Sequence, residues 1–187
     1  IDFSNRNYYE SRLVTLPSPR IPSSTEADPA FGLEWRRVDG TFERGAARVN
    51  RVEAEAIVAE IGRMLADPAT RDRSIGVVTF NLQQRELVLD LLEASADLQI
   101  QRALAREDEP LFVKNLENVQ GDERDTILFS LAFSKDDKTG RLPLQFGPLI
   151  LAGGERRLNV AITRARMKIV VLSSFDPEDV DLSRTNS

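Results

Sequence analysis

Apolar and polar residues follow two periods along this chain, one typical of helices and one of buried strands. Over about 50–66, one helical stripe collects Val52, Ala56, Ile57, Ile61 and Leu65, and an Asp-Pro pair at 67–68 is expected to stop the helix. The short β-branched run SIGVVTF at 74–80 predicts a buried strand, and a helical pattern follows over about 83–105. The same patterns predict strands at 111–114, 126–133 and 168–173 and a helix near 155–166. This alternation predicts an α/β fold with a mainly parallel sheet and helices on both faces.

The flanks and one internal segment lack a steady period. Residues 1–31 are rich in Ser and Pro, while 33–38 predict a short strand and the Asp39-Gly40 pair after it predicts a hairpin turn. Residues 134–154 are predicted as a loop or insertion, and the tail from Asp176 is acidic and expected to fray. We therefore divide the chain into a linker or wrapping arm at 1–45, a main domain at 46–175 and a tail at 176–187.

Composition narrows the possible chemistry. With 187 residues, 41% of them hydrophobic, the chain is long enough for one substantial core. Asp and Glu number 30 against 25 Lys and Arg, so any nucleic-acid contact must come from a local patch. The chain has no Cys and no His, which excludes disulfides, thiol nucleophiles, imidazole bases and the usual zinc ligands, and no metal site is predicted.

Neither a membrane span nor a signal peptide is predicted, because no run approaches about 20 apolar residues and the first residues lack an apolar core. A reducing, cytoplasmic setting is therefore expected. The chain opens on Ile1 rather than Met, and we expect an excised part of a longer protein.

Three polar clusters fall at or between the predicted strands. In TFNLQQRE at 79–86, Gln84 and Arg85 stand at a helix start, where amides and a guanidinium can meet phosphate. In NVQGDERD at 118–125, Gly121 permits a tight turn or a close approach to a ligand, and Gln120 and Glu123 offer groups for hydroxyls or phosphate-bound water. The alternatives are ordinary helix-start polarity and a solvated loop.

The third cluster, GGERRLNVAITRARMK at 153–168, is basic in an acidic chain. Its four Arg and one Lys against one Glu give a net charge of +4. Leu158, Ile162 and Ala165 are expected to form the buried stripe of a helix, with Arg157 and Arg164 together on another face. Arginine suits bidentate phosphate recognition, although a basic face that pairs with acidic loops stays an alternative.

Taken in order, these segments resemble the second-domain motifs of superfamily 1 helicases of the upframeshift type, nearest to large bacterial helicase-like proteins. IGVVTFNLQQRE resembles motif IV, LENVQGDERDTILFSL motif V and GGERRLNVAITRARMKIVVLSS motif VI. NRVEAEAIV at 50–58 matches a helix upstream of them, and DFSNRNYYESRLVTLPSP resembles the segment after motif III. The resemblance covers nearly the whole chain and implies a RecA-like, P-loop-type α/β domain, the carboxyl-terminal half of an AAA-type ATP-dependent motor.

The resemblance also implies site residues. Arg164 is implied as the arginine finger, which points with Arg85 at the γ-phosphate of ATP and neutralises charge in the transition state. The implied ATP-binding residues are Gln84, Gln120, Gly121, Glu123 and Arg157. The implied strand-binding residues are Thr79, Asn118 and Asn159. Where the family usually shows Thr-Pro-aromatic, this chain has Phe80 before Asn81, and strand alternation directs the Phe80 ring elsewhere, so base selectivity is expected to be loose.

No G-x-x-x-x-G-K-[ST] loop occurs in the sequence, so the chain lacks its own Walker A loop. The resemblance places ATP with Mg²⁺ mainly on an upstream RecA-like domain of the same polypeptide, and the isolated chain is expected to be inactive. The expected track is single-stranded nucleic acid, DNA in preference to RNA. Two alternatives stay open: a non-catalytic nucleic-acid-binding module, and a nuclease that uses Asp122, Glu123 and Asp125.

Overall fold

A five-stranded sheet forms the centre of the molecule. The structure, a computed structural model, describes residues 2–8, 10, 12 and 30–180. All strand pairs are parallel, in the spatial order β1-β5-β4-β2-β3. The strands are β1 (Gly32–Arg37), β2 (Ile75–Thr79), β3 (Phe112–Asn115), β4 (Arg124–Ser134) and β5 (Ala165–Ser174). The helices are α1 (Asp2–Tyr8), α2 (Arg51–Ala66), α3 (Leu82–Glu93), α4 (Leu98–Leu104) and α5 (Gly154–Ile162).

Alternation along the central strands divides the core between two faces. Val77 and Leu128 point towards α2, α3 and α4, where they join a cluster that includes the buried Ile57 of α2. Their neighbours Val78 and Ile127 point the other way and pack with residues of α5. The predicted α/β fold with a parallel sheet and helices on both faces is therefore confirmed.

Polar side chains fix where the helices begin. The side chain of Asn50 accepts a hydrogen bond from the Glu53 backbone N at 3.1 Å, and that of Asn81 accepts one from the Gln84 backbone N at 2.7 Å. Asp97 caps α4 in the same way. Because of this second cap, the helical pattern predicted over 83–105 is two helices rather than one.

The predicted hairpin after β1 is wrong. β1 pairs in parallel with β5, and its Val38 neighbour continues this contact by donating from its backbone N to the Ser173 carbonyl at 2.8 Å. The chain then makes a short loop closed by an isolated antiparallel bridge between Glu43 and Val49. Gly40 passes so close to Asn50 that an added Cβ would lie 2.2 Å from its Oδ1, which excludes a side chain there.

The helix predicted over 155–166 is shorter than expected. α5 ends at Ile162, and β5 already begins at Ala165. Arg164 therefore lies in the connection between them, and it does not share a helix face with Arg157.

The predicted boundaries of the chain stay predictions. Within the segment expected as an arm, α1 contacts α5, and β1 is an edge strand of the sheet. The loop predicted over 134–154 contains a short 3-10 helix, Gly147–Ile150. Another, Pro177–Asp179, follows β5, and 181–187 lie outside the described residues. None of the helices in the described part of the chain has the length and apolarity needed to cross a bilayer.

Candidate functional site

Glu123 and Arg164 meet at the amino ends of β4 and β5. The two strands start side by side, with the Arg124 backbone N donating to the Arg164 carbonyl at 3.0 Å. The two side chains are also close, with Arg164 Nη1 3.5 Å from Glu123 Oε1. The Arg164 side chain is 20% exposed and that of Glu123 52%, so both reach solvent. Two residues from separate sequence clusters thus form one polar site.

The end of α5 holds the Arg164 guanidinium in place. Its Nε donates to the Val160 carbonyl at 3.1 Å, and its Nη2 donates to Thr163 Oγ1 at 3.2 Å. A guanidinium carries five N–H donors, so these contacts and the one to Glu123 leave donors for an anion. Arg164 is therefore positioned but not saturated.

A second cation beside Arg164 is fully engaged. Arg166 makes two hydrogen bonds to the Glu109 carboxylate, and its Nε lies 3.1 Å from Asp125 Oδ1. Its Nη2 also donates to Ser74 Oγ at 2.8 Å, and the Ser74 backbone N donates to Asp125 Oδ2 at 3.1 Å. Hydrogen bonding from Arg166 lowers the pKa of Glu109 to about 2. This network ties the amino ends of β4 and β5 to the residues before β2 and β3.

The motif V segment runs from the carboxyl ends of the parallel strands back to their amino ends. It leaves the carboxyl end of β3 near Asn118, which is exposed, and arrives at the amino end of β4 at Glu123. Gln120 and Gly121 are exposed as well, and Gly121 adopts φ +93, where a side chain would be strained. Asp122 pairs with Lys114 of β3. The segment thus presents its polar groups to solvent rather than to the core.

Arg85 and Arg157 lie apart from this pair. Arg85, partly exposed on α3, donates from Nε to the Val113 carbonyl of the edge strand β3 at 3.2 Å. Arg157 donates from Nη1 to the Ala152 carbonyl just before α5 at 3.2 Å. The described contacts of either arginine include neither Glu123 nor Arg164, so the single domain does not assemble all of the implied phosphate-binding residues.

Three of the implied site residues have buried side chains. Gln84 is 0% exposed: its Oε1 accepts from the Asn50 backbone N at 2.7 Å, and its Nε2 donates to the Asn50 carbonyl and to Ser130 Oγ. Thr79 is also 0% exposed and donates to the Asn81 carbonyl, and Asn159 is 4% exposed. In this domain the three side chains lie inside the fold rather than at its surface, and Asn159 Oδ1 has no hydrogen-bond partner among the described residues. Their implied role toward a ligand stays a prediction. Of the implied strand-binding side chains, Asn118 is exposed.

The ring of Phe80 packs in the core. It is 5% exposed and lies edge-on to Phe129, with ring centroids 6.4 Å apart. This position agrees with the alternation argument, and it leaves the ring buried rather than facing a base.

A buried carboxyl group that the sequence did not predict lies near the carboxyl ends of β4 and β5. Glu53 is 0% exposed, and its Oε1 accepts from Ser130 Oγ at 2.8 Å and from the Ala132 backbone N at 2.6 Å. Its Oε2 accepts from Ser174 Oγ at 3.2 Å. Burial raises the pKa of Glu53 to about 7. The apolar stripe predicts that Val52 is on the buried face of α2, yet Val52 is 46% exposed and Glu53 is buried instead. The sequence signal for the observed orientation of α2 is the helix cap at Asn50.

Each carboxylate that the nuclease alternative would use forms an ion pair with a lysine or arginine side chain. Asp122 pairs with Lys114, Glu123 with Arg164, and Asp125 with Arg166. Over the described ranges, no group of three or more Asp, Glu, His or Cys side chains is placed to hold a metal ion. The geometry therefore does not favour the nuclease alternative.

The five-stranded parallel sheet with helices on both faces is an α/β fold of the RecA-like kind. The profile of a family described as AAA domain matches residues 1–176, and the chain belongs to this family. This membership and the relatives below confirm the resemblance to a helicase motor domain that the three motifs predicted.

The chain is similar to proteins named as ATP-dependent helicases and to one named as a regulator of nonsense transcripts. The chain is 32% identical, over 96% of its length, to the uncharacterized ATP-dependent helicase MG140 of Mycoplasma genitalium. It is 24% identical, over 92% of its length, to the ATP-dependent helicase NAM7 of Saccharomyces cerevisiae and to the regulator of nonsense transcripts 1 of Dictyostelium discoideum. The chain spans 15%, 17% and 12% of the MG140, NAM7 and Dictyostelium proteins, respectively.

Among solved structures, the chain is similar to the C-terminal domain of a possible DNA helicase from Lactobacillus plantarum. The two are 11% identical, with a TM-score of 0.44 and 82% of each chain covered.

Proposed function

We propose that this chain is the second motor domain of an ATP-dependent helicase or translocase and completes an ATP site with an upstream RecA-like domain of the same polypeptide. The observation that carries the proposal is the Glu123–Arg164 pair, which the start of two adjacent strands fixes at one solvent-exposed edge. Family membership and the helicase names of the relatives support it.

In this proposal Arg164 neutralises the charge that develops on the transferring phosphoryl oxygens. An arginine in this role is worth about 10³–10⁵ in rate. Its contact with Glu123 at 3.5 Å is long and partly exposed, so it costs at most about 1 kcal/mol to break. The guanidinium can therefore turn to phosphate while α5 still holds it, and the released Glu123 carboxylate can accept hydrogen bonds from ribose hydroxyls.

The remaining nucleotide contacts are proposed by position. Gln120 and Gly121 present exposed groups beside Glu123, while Arg85 and Arg157 offer further guanidinium groups. These groups suit phosphate and ribose oxygens better than a cation, so the Mg²⁺ that accompanies ATP is expected on the upstream domain. Hydrolysis of ATP supplies the energy for closing and reopening the interdomain cleft, which moves the protein along its track.

The proposed track is single-stranded nucleic acid. The preference for DNA over RNA, which the resemblance to bacterial helicase-like proteins suggested, stays a prediction. A cytoplasmic location also stays a prediction.

The experiment measures ATP turnover by the full-length protein with and without single-stranded DNA or RNA. We expect strand-stimulated turnover that falls by about three orders of magnitude in Arg164→Ala. Arg156→Ala is the matched control, because it removes an arginine of the same basic segment whose side chain is 85% exposed. Its described ion pair, with Glu155 at 3.9 Å on the surface, is a weak one. Turnover that is absent in the wild type, or unchanged in Arg164→Ala, would favour the non-catalytic binding module instead.

The isolated chain provides a second check. We expect the 187-residue chain to show no ATPase activity, because it contributes only one wall of the proposed site. Robust hydrolysis by this chain alone would contradict the shared-site proposal.

A further inference from the structure

A cleft of about 410 Å³ lies beyond the carboxyl ends of β2 and β4. Its walls come from the loop after β1, the first turn of α3, the end of β4 and the segment before α5. The Glu123–Arg164 pair lies at the amino edge of the sheet, so the two sites are on opposite sides of it. In parallel α/β sheets the carboxyl edge is the usual place for a ligand.

The loop after β1 is fixed to the end of β4. The Phe42 backbone N donates to Ser134 Oγ at 2.9 Å, and Arg44 Nη2 donates to the Ser134 carbonyl at 3.0 Å. The Glu43 backbone N donates to the Val49 carbonyl at 2.8 Å and closes the loop. These contacts bring Arg44 and Arg48 to one wall of the cleft.

Arg48 is the more available of these two cations. Arg44 lies 3.5 Å from Asp136, whereas no described residue forms a salt bridge with Arg48, which is exposed. Arg48 also adopts φ +53, a left-handed conformation that is uncommon and costly for a residue other than glycine. Strain of this kind persists where surrounding contacts impose it, and it is concentrated at ligand sites.

The facing wall is polar and carries no negative charge. It includes Asn81, Gln83 and Gln145, whose amides can donate and accept hydrogen bonds. The first turn of α3 contains no acidic residue, so its amino-terminal dipole also favours an anion. Cationic, amide and apolar surfaces thus face one another across a space large enough for a nucleotide unit.

We propose that this cleft binds a phosphodiester strand and that Arg48 contacts one of its phosphates. The inference rests on the proposed function and deepens it by naming strand contacts in this chain. It also relocates them, since the side chains of Thr79 and Asn159, implied by the resemblance, are buried. Only Asn118 of that set is exposed, and it lies at the end of β3 on the same edge of the sheet.

The test is strand affinity of the full-length protein, measured by fluorescence anisotropy with labelled oligothymidylate and oligouridylate over a range of salt concentrations. Arg48→Asn is the chosen variant, because asparagine is neutral and tolerates the left-handed backbone. We expect affinity to fall about tenfold and the slope of log affinity against log salt to decrease by about one. Arg48→Lys should retain most of the affinity, because it keeps the charge.

Arg71→Asn is the matched control. Arg71 is exposed and precedes β2, at the amino edge of the sheet, and its substitution removes the same charge. Wild-type affinity in Arg48→Asn, or equal weakening by the Arg71 change, would overturn the proposed cleft. So would a higher KM for ATP in Arg48→Asn at unchanged strand affinity, which would assign the cleft to the nucleotide.

The two proposals fail in different measurements. A wild-type protein without ATP turnover would overturn the proposed motor function, while the strand affinities of the same preparations still decide the role of the cleft.

Discussion

Glu109 and Arg166 form a two-pronged ion pair in which Arg166 Nη1 and Nη2 each lie 2.6 Å from a carboxylate oxygen of Glu109. Glu109 precedes β3 and Arg166 lies in β5, two residues after Arg164. Through Asp125 and Ser74 the same guanidinium also reaches β4 and the residue before β2. The pair thus locks the edge of the sheet at which Glu123 and Arg164 meet.

The first prediction concerns this pair as a positioning element for Arg164. In the full-length protein, Arg166→Lys keeps the charge but loses the two-pronged geometry, so we expect kcat to fall by about tenfold or more with a smaller change in KM for ATP. Steady-state kinetics and a thermal melt of the same preparation measure the effect. An unchanged kcat would contradict a positioning role for Arg166. A melting temperature lowered far enough to explain the loss of kcat would show that the pair acts only on the stability of the fold.

The pair also makes a pH-dependent contribution to stability. Because Arg166 lowers the pKa of Glu109 from 4.5 to about 2, this contribution is present above pH 4.5 and is lost as the pH falls towards 2. Glu109→Gln should flatten the melting temperature over that range. A wild-type acid profile in Glu109→Gln would contradict this assignment.

The second prediction uses the buried Glu53. Burial raises its pKa from 4.5 to about 7, so its charged form is disfavoured in the folded state. The stability linked to this group is therefore full below pH 4.5 and decreases as the pH rises through 7, by an amount on the order of 3 kcal/mol. Urea unfolding of the chain across this pH range should show the decrease in the wild type and a flatter profile in Glu53→Gln.

A second Glu53 variant separates charge from hydrogen bonding. Glu53→Leu removes the acceptor for Ser130 Oγ and the Ala132 backbone N, so it should destabilise the chain by about 2–4 kcal/mol below pH 4.5, where the wild-type carboxyl group is neutral. Above pH 7 the difference should be smaller, because the wild type loses stability there and leucine does not titrate. Glu55→Leu, two residues along on the exposed side of α2, is the control. Equal free energies of unfolding for the two leucine variants would contradict the assigned role.

The third prediction concerns Gln84, whose side chain links α3 to the cap of α2. Gln84→Leu keeps the volume but leaves the Asn50 backbone N without its acceptor, and we expect a loss of about 1–3 kcal/mol. Glu86→Leu, on the exposed side of the same helix, should change stability by less than about 0.5 kcal/mol. Denaturant unfolding of the chain measures both, and similar values for the two variants would favour the ligand role that the sequence suggested.

The fourth prediction compares two glycines with left-handed backbone. A Cβ at Gly147, at φ +52, would lie 2.8 Å from the Phe80 carbonyl oxygen, whereas a Cβ at Gly140, at φ +65, would meet open space. Gly140→Ala should cost about 1 kcal/mol from its backbone alone, and Gly147→Ala more, by roughly 1–3 kcal/mol. Melting temperatures that fall equally in the two variants would show that the contact with Phe80 does not matter.

Much of the fold followed from the sequence because its signals are local. The β-branched run ending at Thr79 and the caps at Asn50 and Asn81 depend on neighbouring residues, and alternation of strands and helices restricts the sheet to parallel pairing. The misjudged elements depended on distant contacts. The strand at Gly32–Arg37 pairs with β5 instead of forming a hairpin, and no local pattern encodes that partner.

The candidate site likewise has features that the sequence predicts and features that depend on the tertiary structure. The sequence by itself determined which residue types are available, and the resemblance carried by its three motifs implied a set of site residues that includes Glu123 and Arg164. Tertiary structure decided that these two meet at 3.5 Å, that Gln84 and Thr79 are buried, and that Arg48 faces an open cleft. The physical reason is that burial and charge pairing depend on which strands become neighbours, and a residue's own segment does not specify which distant side chain packs against it.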